Sequence, residues 1–306
     1  MKTNRRQFLS AAGAAVLGSA LCVNFPLSAQ TPDEIEMTVC QLTNKTRSQM
    51  MSYIIRTKTG ELIVVDGGMA GDADHLLEML EKLNGGPNPK VTAWFLSHCH
   101  SDHFMALTEL IRTDRLPEVE KFYFNFPELK WIETYEAVWA HEAKCFFEHI
   151  VKVQDRIVTT QKDQKLTFGP LTVTVLNDPY LCERNPVNNS NVCFRFETKN
   201  SSLLFLGDLG KEGSTELLKL QPAEMLRAEA VQMAHHGQQG ATRELYAVIA
   251  PKICFWPTPD WLWNNDRGKG PDSGPWKIRL EQQWMKELNV QTHYIGKDGT
   301  VCVDLD

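Results

Sequence analysis

The sequence predicts an α/β fold, a four-layer α/β/β/α sandwich of two mixed sheets. Three observations carry that expectation. Clusters of short apolar strands occur in both halves of the chain, and helical segments accompany them in each half. No linker or low-complexity segment interrupts the chain after residue 35. With 306 residues, 42% hydrophobic and 23% charged, the chain has the composition of a globular protein with a sizeable core.

The elements follow in order. Runs over 36–42, 51–57 and 61–65 read as strands, with turns at Asn44-Lys45 and Thr59-Gly60. Asp66-Gly67-Gly68 ends the third. Leu76, Leu77, Leu80 and Leu83 recur at helical spacing, which predicts a helix over 73–83, and Asn84-Gly85-Gly86-Pro87 stops it. A strand over 91–96 leads into His98-Cys99-His100-Ser101-Asp102-His103, and a helix over 104–112 follows. After a strand at 121–126, the aromatic-rich stretch 129–153 keeps a helical period. Its His141, Glu142, Glu148 and His149 alternate with Trp139, Phe146 and Phe147 as on an amphipathic helix, and are read as helix surface. The second half holds strands at 171–176, 192–197 and 202–206, the last two a hairpin through Lys199-Asn200. Gly207-Asp208, a helix over 214–220, a strand over 228–233 and His235-His236-Gly237 come next. A helix over 242–248, a strand over 253–256 and a terminal pair at 291–295 and 300–303 complete the chain.

Residues 1–30 stand apart as an export signal. Lys2, Arg5 and Arg6 precede an apolar stretch from Ala11 to Phe25, and Leu27-Ser28-Ala29 offers a small-residue cleavage site. Asn4-Arg5-Arg6-Gln7-Phe8-Leu9 resembles the twin-arginine signal, which implies the twin-arginine export machinery as a partner and a periplasmic or extracellular destination in a bacterium. The apolar stretch is short for a stable span, so no transmembrane segment is expected in the mature domain over 31–306. The chain has 32 Lys+Arg against 38 Asp+Glu, and three of the basic residues lie in the leader. The remaining acidic surface disfavours nucleic acid as a partner. Eight cysteines, one of them Cys22 in the leader, are dispersed and lack CxxC spacing, so they read poorly as a disulfide framework. Cys40, Cys193, Cys254 and Cys302 sit in apolar runs and are expected to be buried.

The chemistry concentrates at 98–103, where three histidines and an aspartate fall within six residues. Imidazole and carboxylate are good ligands for zinc and related ions. His98 and His100, two apart on extended backbone, share one side. Asp102 and His103 turn toward a second point, so the motif suits two metals side by side. Cys99 alternates away from them. Asp66, Asp208 and the His235-His236 pair each follow a predicted strand, where loops carry function on a rigid frame.

The order Asp66, His98-x-His100-x-Asp102-His103, Asp208, His235-His236 resembles that of metallo-β-lactamase-fold hydrolases over essentially all of residues 36–306. Asn188-Asn189-Ser190-Asn191-Val192, Leu203-Leu204-Phe205-Leu206-Gly207-Asp208 and His235-His236-Gly237 resemble a narrower group. That group contains the hydrolase domain of the bacterial DNA-uptake channel and the phosphorylcholine esterases of teichoic acid. The resemblance implies His98 and His100 as ligands of one metal, Asp102, His103 and one of the His235-His236 pair as ligands of the other, and Asp208 as the bridge. His235, nearer the strand end, is favoured as the ligand, leaving His236 as the acid for the leaving group. Asp66 and Asn189 are expected just behind the ligands, with Asn188 and Asn191 as further candidates to complete the first site. Many members of the superfamily supply a third histidine there, whereas this chain has none between His149 and His235.

The expected function is an exported hydrolase dependent on two divalent metals, zinc or manganese. It would cleave a phosphoester or phosphodiester of a small-molecule or cell-envelope substrate by attack of a metal-activated water, with Asp102, Asp208 and His236 as catalytic groups. Lactone, lactam or thioester hydrolysis, and metal binding without catalysis, are the alternatives. Trp261 and Trp263 in the turn-rich stretch 256–266 are the candidate walls of a cleft for a choline-like cation or a sugar.

Overall fold

A computed structural model describes residues 35–305. The leader expected over 1–30 lies outside the described residues. The strands are β1 (Met37–Gln41), β2 (Ser52–Thr57), β3 (Leu62–Asp66), β4 (Lys90–Phe95), β5 (Glu118–Phe124), β6 (Ile157–Thr159), β7 (Lys165–Phe168), β8 (Leu171–Val175), β9 (Phe194–Glu197), β10 (Ser202–Phe205), β11 (Ala230–Gln232), β12 (Ile253–Trp256), β13 (Thr292–Ile295) and β14 (Val301–Leu305). The α-helices are α1 (Ala73–Asn84), α2 (Ser101–Arg112), α3 (Leu129–Tyr135), α4 (Ala140–Ile150), α5 (Pro186–Asn189), α6 (Lys211–Leu220), α7 (Ala223–Leu226), α8 (Arg243–Ile249), α9 (Asp260–Trp263) and α10 (Ile278–Glu287).

The strands form two seven-stranded sheets, ordered β14-β1-β2-β3-β4-β5-β6 and β13-β12-β11-β10-β9-β8-β7. Both are mixed. In the first, pairing is antiparallel from β14 to β3 and parallel from β3 to β6. In the second it is antiparallel from β7 to β10 and parallel from β10 to β13. Central strands are apolar on both faces because both faces are covered. On β4 and its continuation, Ala93 and Phe95 enter the core between the sheets while Trp94 and Leu96 enter an outer core under the helices. On β10, Leu203 and Phe205 face inward, and Leu204 faces α6, α8 and α10. The period of two thus feeds three apolar layers, and the expected α/β/β/α sandwich results.

Several expectations needed revision. Strands β6 and β7 carry no strong alternation and escaped the sequence reading. The helix expected over 129–153 is broken at Glu136, whose φ of −146° and ψ of 52° end α3. The two terminal strands do not pair with each other. β13 edges the second sheet and β14 the first, because the turn through Gly296–Asp298 and Gly299 (φ 112°) carries the chain across. That crossing brings Cys302 opposite Cys40 in the β1–β14 register, where the two form a disulfide. The dispersed spacing of the cysteines had hidden this pair. Cys99 is buried in the outer core, turned away from the histidines as expected.

Candidate metal centre

Four chain segments converge at one end of the sandwich. They leave the carboxyl ends of β3 and β4, parallel neighbours in one sheet, and of β10 and β11, parallel neighbours in the other. Loops at the carboxyl ends of parallel strands are where such sheets place ligands. His98 and His100 lie on the connection after β4. Helix α2 begins at Ser101, three residues earlier than expected, so Asp102 and His103 occupy its first turn. The backbone switch from extended at His100 (φ −112°, ψ 147°) to helical separates the two pairs of side chains.

The second half supplies Asp208 and the histidine pair. Gly207 has φ 53°, and a Cβ there would meet Asn191 Oδ1, so glycine is required. Asn191 Oδ1 accepts from the Asp208 backbone N–H at 3.1 Å and so sets the turn. His235, His236 and Gly237 have φ of 51°, 56° and 76°, three successive left-handed residues. Backbone strain of this kind is held by surrounding bonds. Here the His235 N–H donates to Gly207 O at 3.0 Å and the Thr258 hydroxyl donates to His236 O at 2.6 Å.

The turn decides which histidine enters the cluster. Potential ligand atoms of Asp102, His103, Asp208 and His236 lie within 4.8 Å of one another, as do those of His98, His100 and Asp208. The sequence reading favoured His235 for the first group. The structure brings in His236 instead, because the left-handed pair splays the two rings and His236 Nδ1 donates to Pro257 O at 3.0 Å. His236 is fully buried, which removes it as a freely accessible acid. His235 stays at the edge, its Nε2 3.9 Å from Asp208 Oδ2 and 3.5 Å from Asn188 Nδ2.

Each imidazole of the two donor groups is oriented by a bond on its outward nitrogen. Asp66 accepts from the Ser97 backbone N–H, the Ser97 hydroxyl and His103 Nδ1 at 2.8–2.9 Å. Ser97 Oγ in turn accepts from His98 Nδ1 at 3.1 Å. His100 Nε2 donates to Glu136 Oε1 at 2.9 Å. The inward nitrogens, His98 Nε2 and His100 Nδ1, therefore face each other with lone pairs, 3.1 Å apart. On the other side, His236 Nε2 is 3.0 Å from Asp102 Oδ2 and His103 Nε2 is 3.3 Å from Asp208 Oδ1. Yet His236 Nε2, His103 Nε2 and Asp208 Oδ1 are buried without a well-formed hydrogen bond. Two ligands on one tetrahedral zinc stand about 3.3 Å apart. Converging lone pairs and unsatisfied buried donor atoms at that spacing fit divalent cations.

The protonation balance agrees. Burial opposes charge on His103, but Asp208, Asp66 and Asp102 hold its pKa well above the usual imidazole value. The same contest, with burial against Asp208 and Asp102, puts His236 at about 9. Burial also works against Asp102 and Asp208, and the neighbouring histidines overcome it, holding both below the usual carboxylate range. His98 is driven well down by burial and by His103. Protons on His103 and His236 thus balance the carboxylates, and a cation binding there displaces them.

Two residues that the sequence reading missed complete the surround. Glu136 has no motif around it; its break in the helix is the only local signal. Its other oxygen accepts from the Val187 N–H at 2.9 Å, which ties it to α5. Carboxylates behind a ligand histidine commonly raise metal affinity ten- to a hundredfold. Glu136→Ala should therefore weaken metal binding on the His98–His100 side by about that factor in a chelator competition, with Glu136→Gln less affected. Equal affinity in all three proteins would remove Glu136 from the site. Gln49 is the second: its Nε2 donates to Asp102 Oδ2 at 3.0 Å and its Oε1 accepts from Gln238.

Three other expectations change. Asn189 does not reach the cluster; its Oδ1 accepts from the Gly213 N–H and pins α6. Asn188, not Asn189, stands beside His235, and its Oδ1 is buried without a partner. Trp263 packs edge-on against core Trp256 at 5.3 Å, and Trp261 packs on Trp276 and donates to Arg47 O at 3.2 Å. Neither lines the 780 Å³ cavity that opens beside His235. Trp139, half exposed, lies 6.0 Å from the His100 ring. His141 and His149 remain on α4, outside the cluster, as expected.

Comparison with known proteins agrees with this architecture. Residues 46–121 match the family model of the metallo-beta-lactamase superfamily. A 69-residue stretch is 33% identical to ComE operon protein 3 of Bacillus subtilis strain 168, covering 22% of this chain and 9% of that protein. The chain thus spans less than a tenth of this curated relative. The solved metallo-beta-lactamase fold protein YhfI of Bacillus subtilis superposes with a TM-score of 0.52 at 14% identity, over 86% of this chain and 98% of that one. A variant of the CmlA beta-hydroxylase superposes at 0.50 and 11% identity, over 88% of this chain and 54% of that one.

Proposed function

We propose that this chain, which has the metallo-β-lactamase fold, is an exported dinuclear-metal hydrolase of phosphoesters or phosphodiesters. One observation carries the reading, an unequal pair of donor groups sharing Asp208. Asp102, His103, Asp208 and His236 make one group; His98, His100 and Asp208 make the other, with no third imidazole in it. Bound divalent ions would supply an acidified water and positive charge for phosphoryl oxygens.

The chain's own groups do the rest. Asp66, Pro257 O and Glu136 each hold one imidazole nitrogen outward, so the opposite nitrogen is presented inward without reorganisation. Gln49 fixes one oxygen of Asp102. His235 donates from Nδ1 to Gln239 O at 3.1 Å, and burial lowers its pKa, so at neutral pH its Nε2 is free to accept a proton near Asp208. We therefore move the proton-handling role from buried His236 to His235 at the edge of the cluster, which takes a proton on Nε2 and returns it to the leaving group. Export is supported by the leader and by the Cys40–Cys302 disulfide, which suits an oxidising compartment.

The test is a substrate panel on chelator-stripped protein reloaded with zinc or manganese. It comprises bis-(p-nitrophenyl) phosphate, a phosphorylcholine ester, nitrocefin and a lactone. Turnover of a phosphoester that returns only with metal is expected. Turnover of nitrocefin or the lactone with none of either phosphoester would overturn the assignment.

A further inference from the structure

The 780 Å³ cavity beside His235 is large enough for a small-molecule group. It lies outside both donor clusters, and of its lining residues only His235, Gln238 and Gln239 have bonds already described around those clusters. The N-terminal ends of two ten-residue helices line it, α6 through Lys211 and Glu212, and α10 through Leu280, Glu281 and the preceding residue Lys277. Helix N-termini favour anions through their free N–H groups and their dipoles.

The side chains point the same way. Four cationic residues line the cavity. Arg184 is paired with Glu212 at 3.7 Å and Arg243 with Glu287 at 3.1 Å. Among the described residues, no carboxylate lies within ion-pairing distance of Lys211 or Lys277. Glu244 is the remaining exposed carboxylate on the wall.

Glu281 is the independent observation. It is 2% exposed, it lines the cavity, and its Oε2 has no hydrogen-bond partner. An unpartnered buried carboxyl is costly unless a ligand satisfies it. Burial pushes its pKa well up, so Glu281 holds a proton and offers an O–H donor instead of a repelling charge. Trp284 adds an apolar wall.

Resting on the phosphoester reading, we infer that this cavity binds a second anionic group, phosphate or carboxylate, on the part of the substrate beyond the scissile bond. Lys211, Lys277 and the Glu281 hydroxyl are its recognition groups, and His235 stands between it and the donor clusters.

Two measurements on the full-length, metal-loaded protein test this. In the first, p-nitrophenyl phosphodiesters are compared whose second alcohol is neutral or ends in a phosphate, a carboxylate or a quaternary amine. The anionic esters should be preferred in kcat/KM by about tenfold or more, mainly through KM. That ratio should collapse in the Lys211→Ala/Lys277→Ala double variant and return in Lys211→Arg/Lys277→Arg. Whether phosphate or carboxylate is favoured identifies the source of the anion. The second measurement is calorimetric binding of inorganic phosphate and of succinate, which needs no turnover. At least one should bind the double alanine variant about tenfold more weakly than the wild type. Equal binding of both probes, or preference for the quaternary amine, overturns the anion site. Absence of phosphoester turnover with the binding difference intact refutes the phosphoester reading alone.

Discussion

Asp208→Ala should strip metal from both sides of the centre and lower turnover by more than about a thousandfold, or about 4 kcal/mol of transition-state stabilisation. The reason is the shared carboxylate. Asp208 Oδ1 lies 3.3 Å from His103 Nε2, while Oδ2 lies 3.5 Å from His236 Nε2 and 3.9 Å from His98 Nε2. Among the described residues, no other side chain belongs to both donor groups. Asp208→Asn keeps the volume and the backbone bond to Asn191, so it separates loss of ligand from loss of fold. The two histidines should then behave differently. His236→Ala loses the ion on its side, whereas His235→Ala keeps its metal content and slows turnover. Metal analysis beside kinetics checks this, and full metal content in Asp208→Ala would falsify the shared centre. The metal-free protein has a matching pH signature. The folded pKa of His236 is raised to about 9, so its stabilising contribution is complete below the unfolded value near 6.5 and is lost as pH climbs toward 9. Chelator-treated wild type should therefore lose stability over that window, and Asp208→Asn should flatten the loss.

Breaking the Cys40–Cys302 bond should lower the melting temperature by about 4–9 °C. The bond joins β1 to the edge strand β14 across a sequence separation of 262 residues. In the chain-entropy account a loop of that length contributes at the top of the range, about 5 kcal/mol, with about 2 kcal/mol as a conservative figure. The other described cysteines, Cys99, Cys145, Cys182, Cys193 and Cys254, are free, so reductant acts on one bond. Calorimetry of wild type with and without reductant, beside Cys302→Ser, makes the comparison. Coincident transitions in all three samples, or a non-reduced digest lacking the Cys40–Cys302 peptide pair, would remove the disulfide and its support for export.

Much of the fold was legible because burial on both faces leaves continuous apolar runs. Val91 to Leu96 and Leu203 to Leu206 could hardly be anything but central strands. β6 and β7 lie at the ends of their sheets, are only partly buried, and so lack that signal. The candidate metal donors were legible because ligand chemistry requires particular side chains at close spacing after a strand. Glu136 was not, since a carboxylate behind a histidine can come from any segment that passes nearby. The same holds for Gln49 on the loop before β2. The tryptophan cleft failed for a related reason: Trp261 and Trp263 lie near a strand end in sequence, but the chain turns them toward Trp276 and the core instead of the cavity.

What the sequence determined by itself was the set of layers and the identity of the candidate donors His98, His100, Asp102, His103 and Asp208, with Asp66 behind them. Side-chain period and functional-group chemistry are local properties, readable one segment at a time. What only the tertiary structure decided was geometry between segments. The choice of His236 over His235 rests on two left-handed residues held by Gly207 and Thr258. The pairing of Cys40 with Cys302 follows from a strand that crosses between sheets. The cavity proposed to bind an anion forms where two helix N-termini from distant parts of the chain meet. Each depends on contacts whose partners are far apart in sequence, and residue spacing alone carries no information about those.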